Sequence, residues 1–355
     1  MEISKYIKKM KCFQKIFLDL IDGNATLRHS AFDYLSKVSI NDKKLELTEL
    51  FQLIIKISNN HHHTSNFYDK IETIIKFLKE HIKQSFSNKE ILNISQSNKR
   101  IILYLIKDQI LKVDGKVVDS LIELHLQNYF IPEISSFYNG NQLKLSESNR
   151  KEYELFELKR KSGENDENIC QLIRNDSIDE FISYVNRLNL PLSQTTIKKS
   201  IFETNSFLFD KQTTLVEYAA FFGSIQIFKF LQLNEVELTS SLWLYAIHSN
   251  NAELIHILEE NHVMPDDETY KECFNEATKC HHNNIANYIK ENLLTEKSEL
   301  DVSNEAISYF NCEFLPNDFK HHFYSLIKHN YVFLLDTLIK KMKYKITLTD
   351  DIFFF

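Results

Sequence analysis

The 355-residue sequence has the composition of a folded globular protein, with 43% hydrophobic and 26% charged residues. It contains only five Gly and four Pro, which argues against sandwiches, propellers and dinucleotide-binding folds, because those folds need glycine at many tight turns and phosphate contacts. The formal net charge of −7 excludes a general electrostatic attraction to nucleic acids or anionic lipids.

Residues 1 to about 130 carry repeated apolar stripes of helical periodicity. In residues 3–21 apolar side chains recur every three or four positions, which is typical of one face of an amphipathic helix. Similar stripes, separated by short polar breaks, occupy residues 27–38, 45–57, 67–82 and 101–111. The pattern predicts an array of α-helices.

Three consecutive histidines, His61, His62 and His63, stand between two of these stripes. Asn59 and Asn60 precede them, and residues 64–66 that follow are also polar. Clusters of polar residues between periodic stretches indicate loops. We therefore predict a solvated loop here, with adventitious metal binding as the alternative.

The apolar periodicity stops near residue 150. Residues 139–149 lose it, and residues 151–167 are mostly charged or polar. We predict a domain boundary here, with an N-terminal α-helical region at 1–160 and a second domain at 161–355. The prolines all fall between periodic stretches, where a missing N–H costs no helical hydrogen bond: Pro132, Pro191, Pro265 and Pro316.

The second half of the chain repeats itself. Residues 213–231 form one unit, whose pattern returns within residues 242–258 and 277–289, and weaker copies occupy residues 172–185 and 326–338. Each unit is expected to be a pair of antiparallel helices that buries its apolar face only by stacking on its neighbours. Small residues at equivalent positions should let the helices pack closely: Ala219, Ala246 and Ala277.

One position in each unit should take a left-handed backbone conformation where the chain leaves the first helix. Glycine, asparagine and aspartate favour that conformation. The equivalent residues are Asp176, Gly223, Asn250, His281 and Asn330. His281 is the poorest fit among them.

The repeated phrases resemble a known family. Residues 217–228 (EYAAFFGSIQIF), 241–248 (SLWLYAIH) and 280–283 (CHHN) are similar to a protist ankyrin-repeat family that is expanded in parabasalids. The resemblance covers residues 165–295 and implies an ankyrin-like binding architecture without catalytic residues. Thr214 replaces the proline of the ankyrin pattern, and Val216 and Trp243 replace its histidine. The predicted fold is all-α: a helical array followed by an irregular ankyrin-like helix-turn-helix solenoid.

The sequence contains none of the common catalytic motifs. It has no Gly-x-Ser-x-Gly elbow and no phosphate-binding loop, and His248 and His256 fall on successive helices without completing a zinc-protease motif. Cys273 and Cys280 would lie about 10 Å apart on one helix, too far to share a zinc ion. We predict no catalytic residue, no cofactor and no metal site. Remote partners for the histidines at 281 and 282, and a Cys–His nucleophile pair, remain open.

We predict that the protein is a non-catalytic protein–protein interaction module, with specificity in the connectors between helix pairs. The predicted contact residues are Asp210, Lys211, Gln212, Glu235, Glu237, Asp266 and Asp267. Most are acidic, so the expected partner is another protein with a basic surface. The alternatives are a metal-dependent enzyme that uses the C-terminal histidines, and a nucleic-acid-binding adaptor.

We expect a cytoplasmic protein that does not enter a membrane. Lysines interrupt the apolar residues of the first twenty positions, and apolar runs such as residues 101–106 are shorter than the roughly 18 to 20 residues that span a bilayer. Five scattered cysteines do not describe a disulfide framework. The lysines at 340–345 are expected at a solvated helix end, and the terminal Phe353–Phe355 run is expected to cap the last helix.

Overall fold

The computed structural model describes residues 3–23, 44–64, 66–139, 147–209, 211–294 and 302–342. Within these ranges it contains twenty α-helices and no β-strand, which confirms the all-α fold class. The predicted stripe at 27–38, Asp210 and the Phe-rich terminus lie outside the described residues. Among the described helices, none is both long and apolar enough to cross a lipid bilayer.

Eight helices make up the N-terminal region. They are α1 (Ile3–Ile21), α2 (Lys44–Asn60), α3 (Phe67–Ser85), α4 (Asn88–Ser95), α5 (Lys99–Lys107), α6 (Gly115–Glu123), α7 (Ile131–Asn139) and α8 (Glu147–Ser162). Four predicted stripes coincide with α1, α2, α3 and α5. Side chains at the helix starts satisfy otherwise unpaired N–H groups: Ser87 forms a capping box with Glu90, and Asp114 accepts from the N–H of Val117.

Twelve further helices follow, none longer than 11 residues. They are α9 (Asn168–Arg174), α10 (Ile178–Leu188), α11 (Ser206–Phe209), α12 (Leu215–Phe222), α13 (Ile225–Leu233), α14 (Leu242–Ser249), α15 (Ala252–Glu260), α16 (Lys271–Lys279), α17 (Asn283–Tyr288), α18 (Ser303–Ser308), α19 (Phe323–Lys328) and α20 (Val332–Met342). A π-helical turn, Ile289–Leu293, extends α17. Most of these helices form pairs joined by turns of two or three residues.

The turn inside a helix pair has a left-handed residue at each predicted position. The φ angles are 49° at Asp176, 71° at Gly223, 53° at Asn250, 59° at His281 and 57° at Asn330. The predicted left-handed positions are confirmed, His281 included. Two contacts hold His281 in this conformation. Its Nε2 atom lies 3.0 Å from the carbonyl oxygen of Tyr309, and the backbone N–H of the following residue, His282, donates to the carbonyl of Ala277.

The first helices of successive pairs pack on one another. Helix α12 contacts α14, α14 contacts α16, and α16 contacts α18. Ala219, Ala246 and Ala277 are fully buried at these contacts, which confirms their predicted packing role. Trp243 on α14 is also fully buried, and its indole N–H donates to the carbonyl of Val263 at 2.6 Å. This aromatic residue therefore belongs to the core.

The last helices share a core with the N-terminal region. Phe310, Leu326 and Leu334 are buried in the same cluster as residues of α1 to α6. The carboxylate of Glu49 on α2 accepts from the N–H groups of Phe333 (2.8 Å) and Leu334 (3.0 Å) in the first turn of α20. Packing thus crosses the predicted boundary near residue 160, and the boundary itself stays a prediction.

The charged stretch at that boundary is helical and partly buried. It forms α8, whose Arg160 side chain is fully buried. The guanidinium donates two hydrogen bonds to Glu133, at 2.7 and 3.0 Å, and a third to the carbonyl of Tyr129 at 3.0 Å. The apolar periodicity of the sequence is lost in α8 because a charged side chain, Arg160, occupies a buried position, where it pairs with Glu133 of α7.

Candidate functional site

Two connectors that carry predicted contact residues lie side by side. The connector from α13 to α14 holds Glu235 and Glu237, and the one from α15 to α16 holds Asp266 and Asp267. The Ser240 hydroxyl donates to the carboxylate of Asp266 across the two connectors. At the helix ends nearby, the amide of Gln232 donates to Asn261 at 3.1 Å. The structure therefore brings these four acidic residues onto one edge.

We name residues 233–241 and 261–268 the acidic edge. It contains no Lys or Arg, and its carboxylates are Glu235, Glu237, Asp266, Asp267 and Glu268. Two large apolar side chains stand among them: Leu233 is 83% exposed and Met264 is 50% exposed. Exposed apolar side chains on a surface with several negatively charged side chains are typical of a surface that binds another protein.

Asp267 has a structural role on this edge. One carboxylate oxygen accepts from the N–H of Tyr270 at 3.2 Å, and the other accepts from the N–H of Glu272 at 3.0 Å and from the Thr269 hydroxyl at 2.8 Å. These bonds satisfy N–H groups at the start of α16, which would otherwise be unpaired.

We expect Asp267→Ala to lower the free energy of unfolding by about 1 kcal/mol, because N-terminal capping contributes roughly 0.5–2 kcal/mol. Glu237→Ala on the same edge is the matched control and should change it by less than about 0.5 kcal/mol. Urea denaturation of both variants measures the difference. Equal loss in the two variants would contradict the capping role.

Lys211 and Gln212 occupy the connector before α12, and Asp210 lies outside the described residues. The ammonium group of Lys211 lies 3.6 Å from the centre of the Phe207 ring and 5.4 Å from that of Tyr245. Burial lowers the pKa of this lysine. Lys211 and Gln212 are both exposed, and the Lys211 ammonium group also contacts aromatic rings of its own chain.

The solvated loop predicted for the three histidines is wrong. His61 is only 2% exposed, and His62 and His63 are partly buried. The prediction failed because this segment packs against the turn between α16 and α17, more than two hundred residues later in the chain. His61 Nδ1 lies 2.8 Å from the carbonyl oxygen of Cys280, and His62 Nδ1 lies 3.1 Å from Nε2 of His282.

Three imidazoles and one carboxylate lie close together in the structure. We name these four side chains the histidine cluster: Asp22, His61, His62 and His282. Asp22 follows α1, the two neighbouring histidines follow α2, and His282 lies in the turn before α17. One ring nitrogen from each histidine lies within 4.8 Å of the others. An oxygen of Asp22 lies 2.9 Å from His61 Nε2 and 3.5 Å from His62 Nε2.

The hydrogen bonds at Nδ1 fix how two of these rings are oriented. His61 Nδ1 donates to the Cys280 carbonyl, and His282 Nδ1 donates to the Ile247 carbonyl at 2.7 Å. In the neutral ring the lone pair is then on Nε2. If His61 were neutral, its lone pair would face the carboxylate of Asp22, with two acceptors 2.9 Å apart. A cation, either a second proton or a metal ion, removes this repulsion.

Burial disfavours the protonated form of two of the histidines in the cluster, His62 and His282. Burial and the neighbouring His61 lower the pKa of His62 to about 3, and burial lowers the pKa of His282 well below its ordinary value. Burial of Asp22 raises the pKa of its carboxyl, but the hydrogen bond and charge of His61 outweigh this and lower it overall. The cluster therefore presents the neutral rings of His62 and His282 beside the carboxylate of Asp22 at neutral pH.

The histidine cluster borders a cavity of about 380 Å³. Asp22, His61 and His282 line one part of it, and Lys11 and Lys15 of α1 line another. The Asp22 side chain is 39% exposed. A small ion or molecule can therefore reach the ring nitrogens from solvent.

A second group of potential ligands, His248, Glu276 and Cys280, lies nearby. Its charges are already balanced, because Glu276 pairs with His248 at 2.6 Å and with Lys279 at 2.9 Å. Burial, followed by the charge of Glu276, raises the pKa of the Cys280 thiol well above its ordinary value, which disfavours the thiolate that metals bind. The sequence spacing of Cys273 and Cys280 did not reveal either group.

Comparison of the chain with models of protein families, with curated proteins and with solved structures found no match. The resemblance to the protist ankyrin-repeat family therefore stays a prediction.

Proposed function

We propose that the protein is a recognition module that binds another protein through an irregular ankyrin-like solenoid. The observation that carries this proposal is the acidic edge, where Leu233 and Met264 are exposed among five carboxylates with no Lys or Arg. Such a surface fits a partner segment that combines Lys or Arg side chains with apolar ones. The acidic character also argues against the alternative of a nucleic-acid-binding adaptor.

Three features support the solenoid part of the proposal. The helix pairs recur, each with a left-handed residue at the same turn. The first helices stack in chain order from α12 to α18, so each pair completes the core of the next. The connectors after α13 and α15 lie beside each other, and ankyrin-like units carry their variable loops in such connectors.

Binding should depend on the edge carboxylates that have no capping role. We expect Glu235→Gln, Glu237→Gln and Glu268→Gln together to weaken partner binding by about tenfold, because each exposed charge pair contributes roughly 0.2–1 kcal/mol. The partner is obtained by affinity capture with the intact protein, and its purified form is then titrated in an optical biosensor. The loss should shrink as the salt concentration rises.

The matched control removes the same number of exposed glutamates elsewhere on the surface: Glu80→Gln, Glu123→Gln and Glu152→Gln. It should bind as the unmodified protein does. Equal affinity of the two triple variants would place the binding surface elsewhere. Recognition by charge would be refuted if the affinity of the captured partner changed neither with salt concentration nor with the triple substitution in the acidic edge.

A further inference from the structure

We propose that Asp22, His61, His62 and His282 bind one divalent transition-metal ion of the zinc type, and that the ion clamps α1 and α2 to the turn between α16 and α17. The four side chains offer three imidazole nitrogens and one carboxylate oxygen, a donor set that suits zinc and its neighbours. Magnesium and calcium prefer oxygen ligands alone. The inference is independent of the acidic edge.

The distances fit a site that needs only small adjustments. Zinc–nitrogen bonds of about 2.0–2.1 Å in a tetrahedron place ligand atoms about 3.3 Å apart. In the structure, His62 Nδ1 and His282 Nε2 are 3.1 Å apart, and His61 Nε2 and Asp22 Oδ1 are 2.9 Å apart. The widest separation among the histidine ligand atoms is within 4.8 Å. The three histidine nitrogens are therefore close enough to surround one ion after small shifts, with Asp22 beside His61 as the fourth ligand.

The surrounding backbone has the arrangement that metal-binding histidines commonly show. Such a histidine donates its other ring N–H to a carbonyl or carboxylate, which fixes the orientation of the ring. His61 does so to Cys280 and His282 to Ile247, at 2.8 and 2.7 Å. Both bonds leave Nε2 as the ring nitrogen directed into the cluster, so the two rings are oriented before an ion arrives.

The electrostatics favour a cation at the same point. The carboxylate of Asp22 lies 2.9 Å from Nε2 of His61, so a cation at this point is attracted by the carboxylate and by the ring nitrogen together. The exposed side of Asp22 and the adjoining cavity supply the entry path.

The ion would join parts of the chain that no single helix connects. Asp22 and the two neighbouring histidines belong to the N-terminal core, whereas His282 belongs to the stacked helix pairs. Direct contacts between these parts include the His61–Cys280 bond and the hydrogen bond that the Gln14 side-chain amide donates to Asn311 at 3.0 Å. A metal ion shared by both parts would strengthen this contact.

The test uses the full-length, untagged chain after removal of metal with a chelator. Co²⁺ is titrated and followed by visible absorption, since four-coordinate cobalt with nitrogen and oxygen ligands has strong visible bands. We expect one Co²⁺ per chain, displaced by one Zn²⁺. The double variant His61→Gln and His282→Gln should lose at least a hundredfold in affinity and lose the visible bands.

Two controls separate this site from surface histidines and from the second group. His81→Gln with His256→Gln removes two exposed histidines, and Cys280→Ser changes the other candidate ligand while keeping the carbonyl that orients His61. Both should bind cobalt as the unmodified chain does. If the histidine double variant fails to fold, Asp22→Asn replaces it, with an expected loss of at least tenfold.

The clamp is tested by hydrogen exchange with and without Zn²⁺. Bound metal should slow exchange in residues 18–23, 58–64 and 278–286 together. No binding at stoichiometric metal, binding unchanged in both Asp22→Asn and the double variant, or protection confined to one of the three segments would each overturn the proposal.

Discussion

The free energy of unfolding should fall by about 3 kcal/mol between pH 4.5 and pH 8 because of Glu49 alone. Burial raises the pKa of this carboxyl to about 7, and the hydrogen bonds from Tyr6, Leu334 and Phe333 only partly offset the effect. In the unfolded chain the group ionises at its ordinary value of 4.5. Each unit of pKa difference corresponds to 1.36 kcal/mol.

The sign follows from proton binding. Between these two pKa values the folded state holds a proton that the unfolded state has released, so stability falls as pH rises. Below pH 4.5 both states are protonated, and above pH 7 both are ionised. The loss is therefore complete above the pKa of the folded state.

The variant Glu49→Gln should remove this dependence. Its side-chain oxygen still accepts from the N–H groups of Phe333 and Leu334, and its amide can donate to the hydroxyl oxygen of Tyr6. We expect the variant to be more stable than the unmodified protein at pH 8 and similar to it at pH 4.5. Denaturant unfolding at a series of pH values measures both curves, with the exposed Glu80→Gln as control. Parallel curves for Glu49→Gln and the unmodified protein would contradict the assignment.

Trp243→Ala should lower the free energy of unfolding by about 3–5 kcal/mol, the range for removing a buried large aromatic side chain. The indole is fully buried and contacts the Tyr270 ring edge to face, with centres 5.0 Å apart. The indole N–H donates a hydrogen bond to the carbonyl of Val263, the residue that precedes Met264 on the acidic edge. The substitution should therefore loosen the edge as well as the core.

Trp243→Phe separates the two effects. Phenylalanine keeps most of the packing but cannot donate to Val263, so the carbonyl loses its partner, at a cost of about 1–3 kcal/mol. Thermal unfolding of both variants measures stability, and partner titration at a temperature where both are folded measures the edge. If Trp243→Phe is as stable as the unmodified protein, the hydrogen bond does not anchor the connector.

Local patterns predicted much of the fold. The apolar period of residues 3–21 indicated α1 because amphipathic periodicity is a property of a short segment. The turns at Asp176, Gly223, Asn250 and Asn330 could be placed because side chains that tolerate a left-handed backbone are few. The acidic connectors were also visible, but the capping role of Asp267 was not recognised.

The histidine cluster could not be predicted in the same way. The sequence shows two groups of adjacent histidines, at 61–63 and 281–282, but nothing in either indicates that they meet. The histidines at 61–63 were predicted to form a solvated loop because polar residues flank them on both sides. The only available signal was the recurrence of neighbouring histidines in both halves of the chain.

The sequence by itself determined the helices, their paired arrangement and the left-handed turns, because these depend on the spacing and backbone preferences of residues close in the chain. Only the tertiary structure decided that His62 meets His282, and that Glu49 binds the start of α20. Those contacts join segments hundreds of residues apart. They depend on how whole helices pack, and burial then sets the charge of each group.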